Sequence, residues 1–243
     1  MFPRNLPWVN VPEGGQVSII QRDRPLLVEF WDCCRPNSMR TLPYVKAWHE
    51  RYGEEGLRVV GVHSPGFDAS RDEGAVRAAV TRLGVEYPVL IDSELELWQE
   101  YENEGWPARY LFDGGARLFE YHFGEGGYEE TERAIQELLG VERALLAPVR
   151  AEDAPEAALS MPTPEQPGAY SGPYQAGGVW TVLDGAGSVR ASDGLSGVHV
   201  ELEIDGAGAY ALIEHERHSD GVLTLELGVG VSCAATCFTP GLA

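Results

Sequence analysis

Two adjacent cysteines, Cys33 and Cys34, sit in the stretch Phe30-Trp-Asp-Cys-Cys-Arg-Pro-Asn-Ser-Met-Arg-Thr-Leu-Pro43. An apolar run over residues 25–30 precedes them, and Leu42, Val45, Trp48 and Tyr52 follow at helical spacing. The pattern predicts a buried strand, a turn carrying the thiols, and a helix from about 36 to 52. A thiol in such a turn faces a helix N-terminus, where partial positive charge favours the thiolate. Arg35 and Arg40 would lower its pKa further. The chemistry on offer is nucleophilic sulfur, which forms a mixed disulfide or is oxidised. Successive side chains of extended backbone point to opposite faces, so one of the two cysteines is expected to face outwards. Cys34 is the first candidate and Cys33 the second. Adjacent cysteines could close only a small strained ring, so both are expected as free thiols.

Other groups with chemical potential are scattered. Cys233 and Cys237 would lie ~13 Å apart on an extended strand, too far to bridge, although on a helical turn they could meet. Neither cysteine pair has the spacing of a disulfide framework or a two-plus-two zinc site, so no metal is expected. Glu29 either is a buried carboxylate near the turn, with a raised pKa, or points to an exposed face. His63 ends a predicted strand at the edge where sites gather in α/β folds. His215 and His218, with Glu214 and Glu216, read as surface polar residues, since no third ligand is fixed by the sequence. Phe123-Gly-Glu-Gly126 leads into a helix but lacks the lysine and glycine pattern of a phosphate loop.

The elements that must position these groups follow from breakers and periodicity. Prolines 3, 7 and 12 argue against a long helix at the start, and residues 17–20 could form an edge strand. Strands are predicted at 26–30, 57–63, 87–92, 107–112 and 117–123. Helices are predicted at 36–52, 68–83, 95–101 and 128–139, the last ended by Gly140. Alternating strands and helices followed by a hairpin and a helix mean a mixed α/β sheet covered on both faces.

The 243 residues allow one large or two ordinary domains, and a net charge of -20 argues against nucleic acid or anionic membrane as a partner. No apolar run approaches the ~20 residues of a membrane span. The first residues lack the apolar core of a signal peptide, so the sequence reads as cytoplasmic, or as exported if a signal has been removed. Nothing calls for a cofactor.

Phe30-Trp31 before the turn and Pro43 within the helix resemble the thioredoxin superfamily. Arg40-Thr-Leu-Pro-Tyr-Val-Lys-Ala-Trp48 and Val60-Gly-Val-His63 are similar to the soluble region of DipZ-type proteins and to the thioredoxin domains that precede NHL repeats. Tyr87-Pro-Val, Asn103, Trp106-Pro-Ala-Arg-Tyr110 and Phe123-Gly-Glu-Gly126 continue the likeness, with Tyr128 and Glu132, so that it covers nearly all of residues 24–140. It implies a groove lined by Trp106 and Pro107, with Trp31 supporting the turn. Pro107 would be the cis-proline that aligns a bound protein or peptide. The resemblance also implies a Cys-x-x-Cys whose first cysteine lies four residues after the tryptophan. Those slots hold Arg35 and Ser38, in a register that Trp31 and Pro43 both give. Arginine cannot attack a disulfide and serine cannot resolve one. The expectation is a thiol-disulfide oxidoreductase-like protein that is redox-impaired but keeps its peptide groove. The alternatives are an active monothiol reductase or antioxidant protein using Cys34, and a non-enzymatic binding module acting through the β domain of the C-terminal part.

Composition shifts after Gly140. The chain divides into a thioredoxin-like domain at 1–143, an exposed Ala-, Pro- and Glu-rich linker at 144–162 that could begin as helix, and an all-β domain at 163–243. Residues 198–204 and 222–227 alternate as strands, with turns at Asp205-Gly206 and Asp220-Gly221. Pro162-Thr-Pro-Glu165, Gly178-Val-Trp180 and Phe238-Thr-Pro-Gly241 resemble the carbohydrate-binding-module-like β-sandwich that follows the thioredoxin-like region of DipZ-type proteins. The fold class is therefore an α/β thioredoxin-like domain plus a smaller, sandwich-like all-β domain. Carbohydrate is a possible partner there, with Tyr170, Tyr174 and Trp180 as platform or core aromatics.

Overall fold

The computed structural model describes residues 2–3, 5–11 and 23–243, so the edge strand expected at 17–20 lies outside it. The apolar run after Pro25 forms β2 (Leu26–Trp31), whose last five residues are buried. Such a run, enclosed on both faces, is what a central strand requires. Helix α1 (Pro36–Tyr52) follows; it starts at Pro36, a residue suited to the first helical position, and carries Pro43 inside. Its Leu42, Val45, Trp48 and Tyr52 pack on the sheet.

The remaining elements of this half are β1 (Trp8–Val9), β3 (Arg58–His63), α2 (Glu73–Arg82), β4 (Val89–Ile91), α3 (Glu96–Glu100), β5 (Ala108–Phe112), β6 (Leu118–Phe123) and α4 (Tyr128–Leu139). They build one six-stranded sheet of order β1-β4-β3-β2-β5-β6. β2, β3 and β4 run parallel, while β5 and β6 run antiparallel to β2 and to each other respectively. One apolar cluster, including Trp48, Tyr52, Val59 and Ile135, lies on one face, and a second, with Phe30, Val62, Leu97 and Tyr110, lies on the other. The helix expected over 68–83 is divided. A short 3-10 turn, Asp68–Ser70, precedes α2, because Asp72 caps α2 by accepting from the Ala75 amide at 2.9 Å.

The second half is built of strands. β7 (Leu159–Ser160) pairs with β13 (Gly241–Leu242), and β8 (Gln166–Pro167), β9 (Gly172–Asp193), β10 (His199–Asp205), β11 (Gly208–Leu227) and β12 (Val231–Thr239) share a sheet. β9 is the organiser. Its middle pairs with β12 and its end with β10. β11 crosses from one end of β9 to the other, so that Leu223 lies opposite both Gly172 and Asp193. Asp220-Gly221, expected as a turn, is instead inside β11, close to that crossing. Tyr174, Leu183, Val189, Ile204, Ile213 and Phe238 form this half's own core.

Residues 141–158 contain no α-helix and are not a free tether. Leu146 N–H donates to Glu132 at 2.9 Å and Val149 N–H to the Tyr44 hydroxyl at 2.7 Å. The Tyr44 hydroxyl donates to Asp153 at 2.8 Å, and Arg40 pairs with Glu152 at 3.2 Å and with Glu125. The segment is strapped along α1, and the strap carries the β region back over the cysteine turn.

Candidate functional site

The turn between β2 and α1 is the chemical centre, and it is closed. Cys33 and Cys34 are both free thiols with 0% exposure, so neither faces outwards as the alternation argument expected. The reason is non-local, since the β region sits on the turn. Ala209 N–H donates to the Cys33 carbonyl at 2.7 Å, and the Ala207 carbonyl lies 4.0 Å from Cys33 Sγ. Arg82, the last residue of α2, donates to the carbonyls of Asp205 and Ala207, both at 2.7 Å, and lies over the Tyr210 ring. Val182, Ala207, Ala235 and Cys237 join Cys33 and Cys34 in one apolar cluster. Gly208 allows the approach, because a Cβ there would lie 2.7 Å from the Arg82 guanidinium.

Asp32 orders the turn from inside. Its carboxylate accepts from the Cys34 amide at 2.9 Å and from the Gly66 amide at 2.7 Å. A side chain at Gly66 would collide with both Asp32 and Arg35. Burial alone would raise the Asp32 pKa, but hydrogen bonds from His63 and from these amides outweigh it and hold the carboxyl below its usual value. His63 Nε2 faces the Cys33 amide at 3.3 Å and Asp32 at 3.5 Å. That nitrogen can accept from the amide or donate to the carboxylate, but not both at once. The sulfurs of Cys33 and Cys34 and an oxygen of Asp32 lie within 4.8 Å of one another. The Cys34 sulfur, burial and the Asp32 charge all push the Cys33 thiol well up. An enclosed, protonated thiol is a poor nucleophile.

Arg35 is the N-cap residue of α1 and Ser38 lies in its first turn. The Ser38 hydroxyl accepts from the Asp32 amide at 3.2 Å and is fully buried. Arg35 reaches out between two rings, with its guanidinium 4.4 Å from the Phe67 centroid and 5.0 Å from that of Trp106. It also meets Glu165 of the β region at 3.4 Å. Trp106 stacks on Trp98 at 4.1 Å and donates to the Ser64 carbonyl at 2.8 Å. The Trp106–Pro107 peptide bond is cis. Pro107 is buried and Trp106 half-buried, whereas Trp31 has no exposed surface and packs edge-on against His63. Trp31 therefore supports the turn and lines no open groove.

Glu29 is the buried carboxylate of the two alternatives. Burial pushes its pKa up to about 8, against the opposing influence of Arg109 and of the Tyr87 hydroxyl at 3.5 Å. Cys233 and Cys237 both lie on extended β12 and are free. Cys237 approaches Glu165 at 3.4 Å, and burial raises its thiol pKa. The Tyr174 hydroxyl and His215 Nε2 share a hydrogen bond at 2.9 Å. Tyr174 is buried against Phe238, and Tyr170 and Trp180 are half-buried. Sequence reasoning passed over Asp32, whose place between Trp31 and the thiols was a usable signal. It also missed Phe67, Arg82 and Glu165, for which no local signal exists.

Comparison with known proteins bears on the fold of the first half of the chain. Protein DipZ of Mycobacterium tuberculosis is 34% identical over 133 residues, which are 54% of this chain and 19% of DipZ. Thiol-disulfide oxidoreductase YkuV of Bacillus subtilis is 28% identical over 134 residues, 54% of this chain and 87% of YkuV. A thiol-disulfide isomerase from Corynebacterium glutamicum superposes with a TM-score of 0.51 at 22% identity, over 58% of this chain and 97% of its own. Over the half that these proteins match, the chain is thioredoxin-like. A scan against protein-family models finds no match. The thioredoxin-like likeness covers about half of the chain, and the remainder is the strand-rich region that closes the turn. The chain spans only about a fifth of the length of DipZ. Among the described residues, no helix is long and apolar enough to cross a membrane.

Proposed function

We propose that this thioredoxin-like protein does not turn over disulfides and acts as a binding protein. The observation that carries the reading is the state of the turn. Arg35 and Ser38 stand where the superfamily's dithiol would be, and the cysteines beside them are wholly enclosed. Dithiol exchange needs an attacking thiolate and a second thiol to release the mixed disulfide. Arg35 and Ser38 supply neither, and burial withdraws Cys33 and Cys34 from any substrate. The retained surface is the rim formed by Phe67, Arg35, Trp106 and the segment at Pro107. It offers half-buried rings with a cation between them, a chemistry suited to a protein or peptide partner.

Insulin reduction with a dithiol regenerant tests the first part. The expected result is no turnover above the regenerant alone, for wild type and for Cys34→Ser alike. Robust turnover abolished by Cys34→Ser would overturn the reading in favour of a monothiol enzyme. A peptide array probed with wild type and with Trp106→Ala tests the second part, with binding expected to weaken in the variant. Binding that is indifferent to Trp106 would remove the groove from the reading.

A further inference from the structure

Nothing in the proposed binding role uses the buried cluster of Asp32, Cys33 and Cys34. Two sulfurs and a carboxylate oxygen lie within 4.8 Å of one another, all on residues without exposed surface. Packing alone does not require two adjacent thiols at this point, where any small apolar pair would fill the space. We propose that Cys33 and Cys34 form a chelate for a soft monovalent cation of the copper(I) type, with Asp32 as the positioning residue.

The donor set decides the class of ion. Thiolates select soft metals. The Asp32 carboxylate is already engaged by the Cys34 and Gly66 amides, so the sulfurs are the principal donors. His63 meets the carboxylate but is not a member of the three-residue cluster. Two sulfur donors suit a linear copper(I) centre, whereas zinc demands four ligands and would be left short here. Binding releases both thiol protons to solvent and forms two metal–sulfur bonds, with no change in oxidation state. The resulting dithiolate complex carries one negative charge. The Asp32 carboxylate opposes that charge, and the N-terminus of the 17-residue helix α1 and the Arg82 guanidinium, held at the Ala207 carbonyl, offset it with positive charge. Asp32 fixes the Cys34 backbone through its amide and so sets the direction of that sulfur. The β region shuts out water and competing thiols, which protects a bound copper(I) from oxidation and exchange.

The test is an anaerobic titration of the full chain with copper(I) in competition with a chromophoric copper(I) chelator, allowing long equilibration because the sulfurs are covered. The expected result is one equivalent withdrawn from the chelator by wild type and by the Cys233→Ser/Cys237→Ser variant. Withdrawal should be lost in Cys33→Ser and in Cys34→Ser, and weakened about tenfold in Asp32→Asn. Failure of wild type to compete, or undiminished binding in Cys33→Ser and Cys34→Ser, would overturn the proposal. Should those serine variants not fold, X-ray absorption of the copper-loaded Cys233→Ser/Cys237→Ser protein still decides. Two sulfur neighbours support the site, and nitrogen or oxygen neighbours alone refute it. The outcome is independent of insulin reduction, so the two readings stand or fall separately.

Discussion

Replacing Glu29 by glutamine tests the electrostatics under the turn. Glu29 is fully buried at the centre of β2, opposite Arg109 of β5. Among the described residues its Oε1 has no hydrogen-bond partner, and neither do Nε and Nη1 of Arg109, so the two residues do not neutralise each other by contact. Burial therefore dominates and holds the proton on Glu29 up to a pH of about 8, against an ordinary value of 4.5. Between those values the unfolded chain has released the proton and the folded chain still holds it. Rising pH then favours unfolding. The stability that protonated Glu29 preserves is complete below pH 4.5 and is lost as pH climbs towards 8. At about 1.36 kcal/mol per pH unit, the loss between about pH 5 and about pH 8 is roughly 4 kcal/mol. Glutamine fills the same volume and carries no proton to lose. Urea unfolding of wild type and Glu29→Gln at these two pH values cancels every other titrating group. The stability of the variant relative to wild type should rise by roughly 4 kcal/mol from the lower pH to the higher. A difference that stays constant within about 1 kcal/mol would refute the reasoning, because Glu29 would then be ionised inside the fold and balanced by Arg109 at a distance.

Two further outcomes follow from the strap and from the register. Tyr44→Phe removes the hydroxyl that accepts from the Val149 amide and donates to Asp153, and should cost about 0.5–1.5 kcal/mol in urea unfolding, with faster protease cleavage within residues 147–158; wild-type behaviour in both measurements would show that the strap is held elsewhere. The double substitution Arg35→Cys/Ser38→Cys places two thiols three residues apart in the first helical turn, within disulfide reach, and mass and thiol titration should show a bond that forms on mild oxidation; failure to form it would contradict the register set by Trp31 and Pro43.

The first half of the fold was legible because its signals are local. The apolar runs at β2 and β3, the proline that opens α1 and the glycine that ends α4 each act within a few residues. The capping of α2 by Asp72 was equally local and shows why one expected helix became two pieces. The second half was harder to read. β9 and β11 carry glycines that serve sheet crossing and close approach, and along the sequence these look like turns. At the site, Arg35 and Ser38 could be placed by counting, and the burial of Glu29 was one of two open alternatives. The closure of Cys33 and Cys34 could not be foreseen. It depends on Ala207 and Ala209, about 175 residues away, whose small apolar side chains give no sign of a partner.

Arg35 makes the closure intelligible. A cation at a helix N-cap opposes the positive end of the helix and is normally unfavourable. Here the guanidinium leaves the helix axis and lies between the Phe67 and Trp106 rings, and Glu165 supplies the opposite charge. The Glu165 pair is half-exposed and contributes no more than about 1 kcal/mol. Its importance is directional, because it draws the arm before β8 towards the turn. Beneath it, Ala209 and Arg82 complete the seat at the Cys33 carbonyl and the 205–207 carbonyls. A cysteine at position 35 would need access to its substrates, and a docked β region would block that access. An arginine at position 35 needs the docked region for its counter-charge. Arginine at position 35 and the closed turn are thus mutually consistent, each removing the cost of the other.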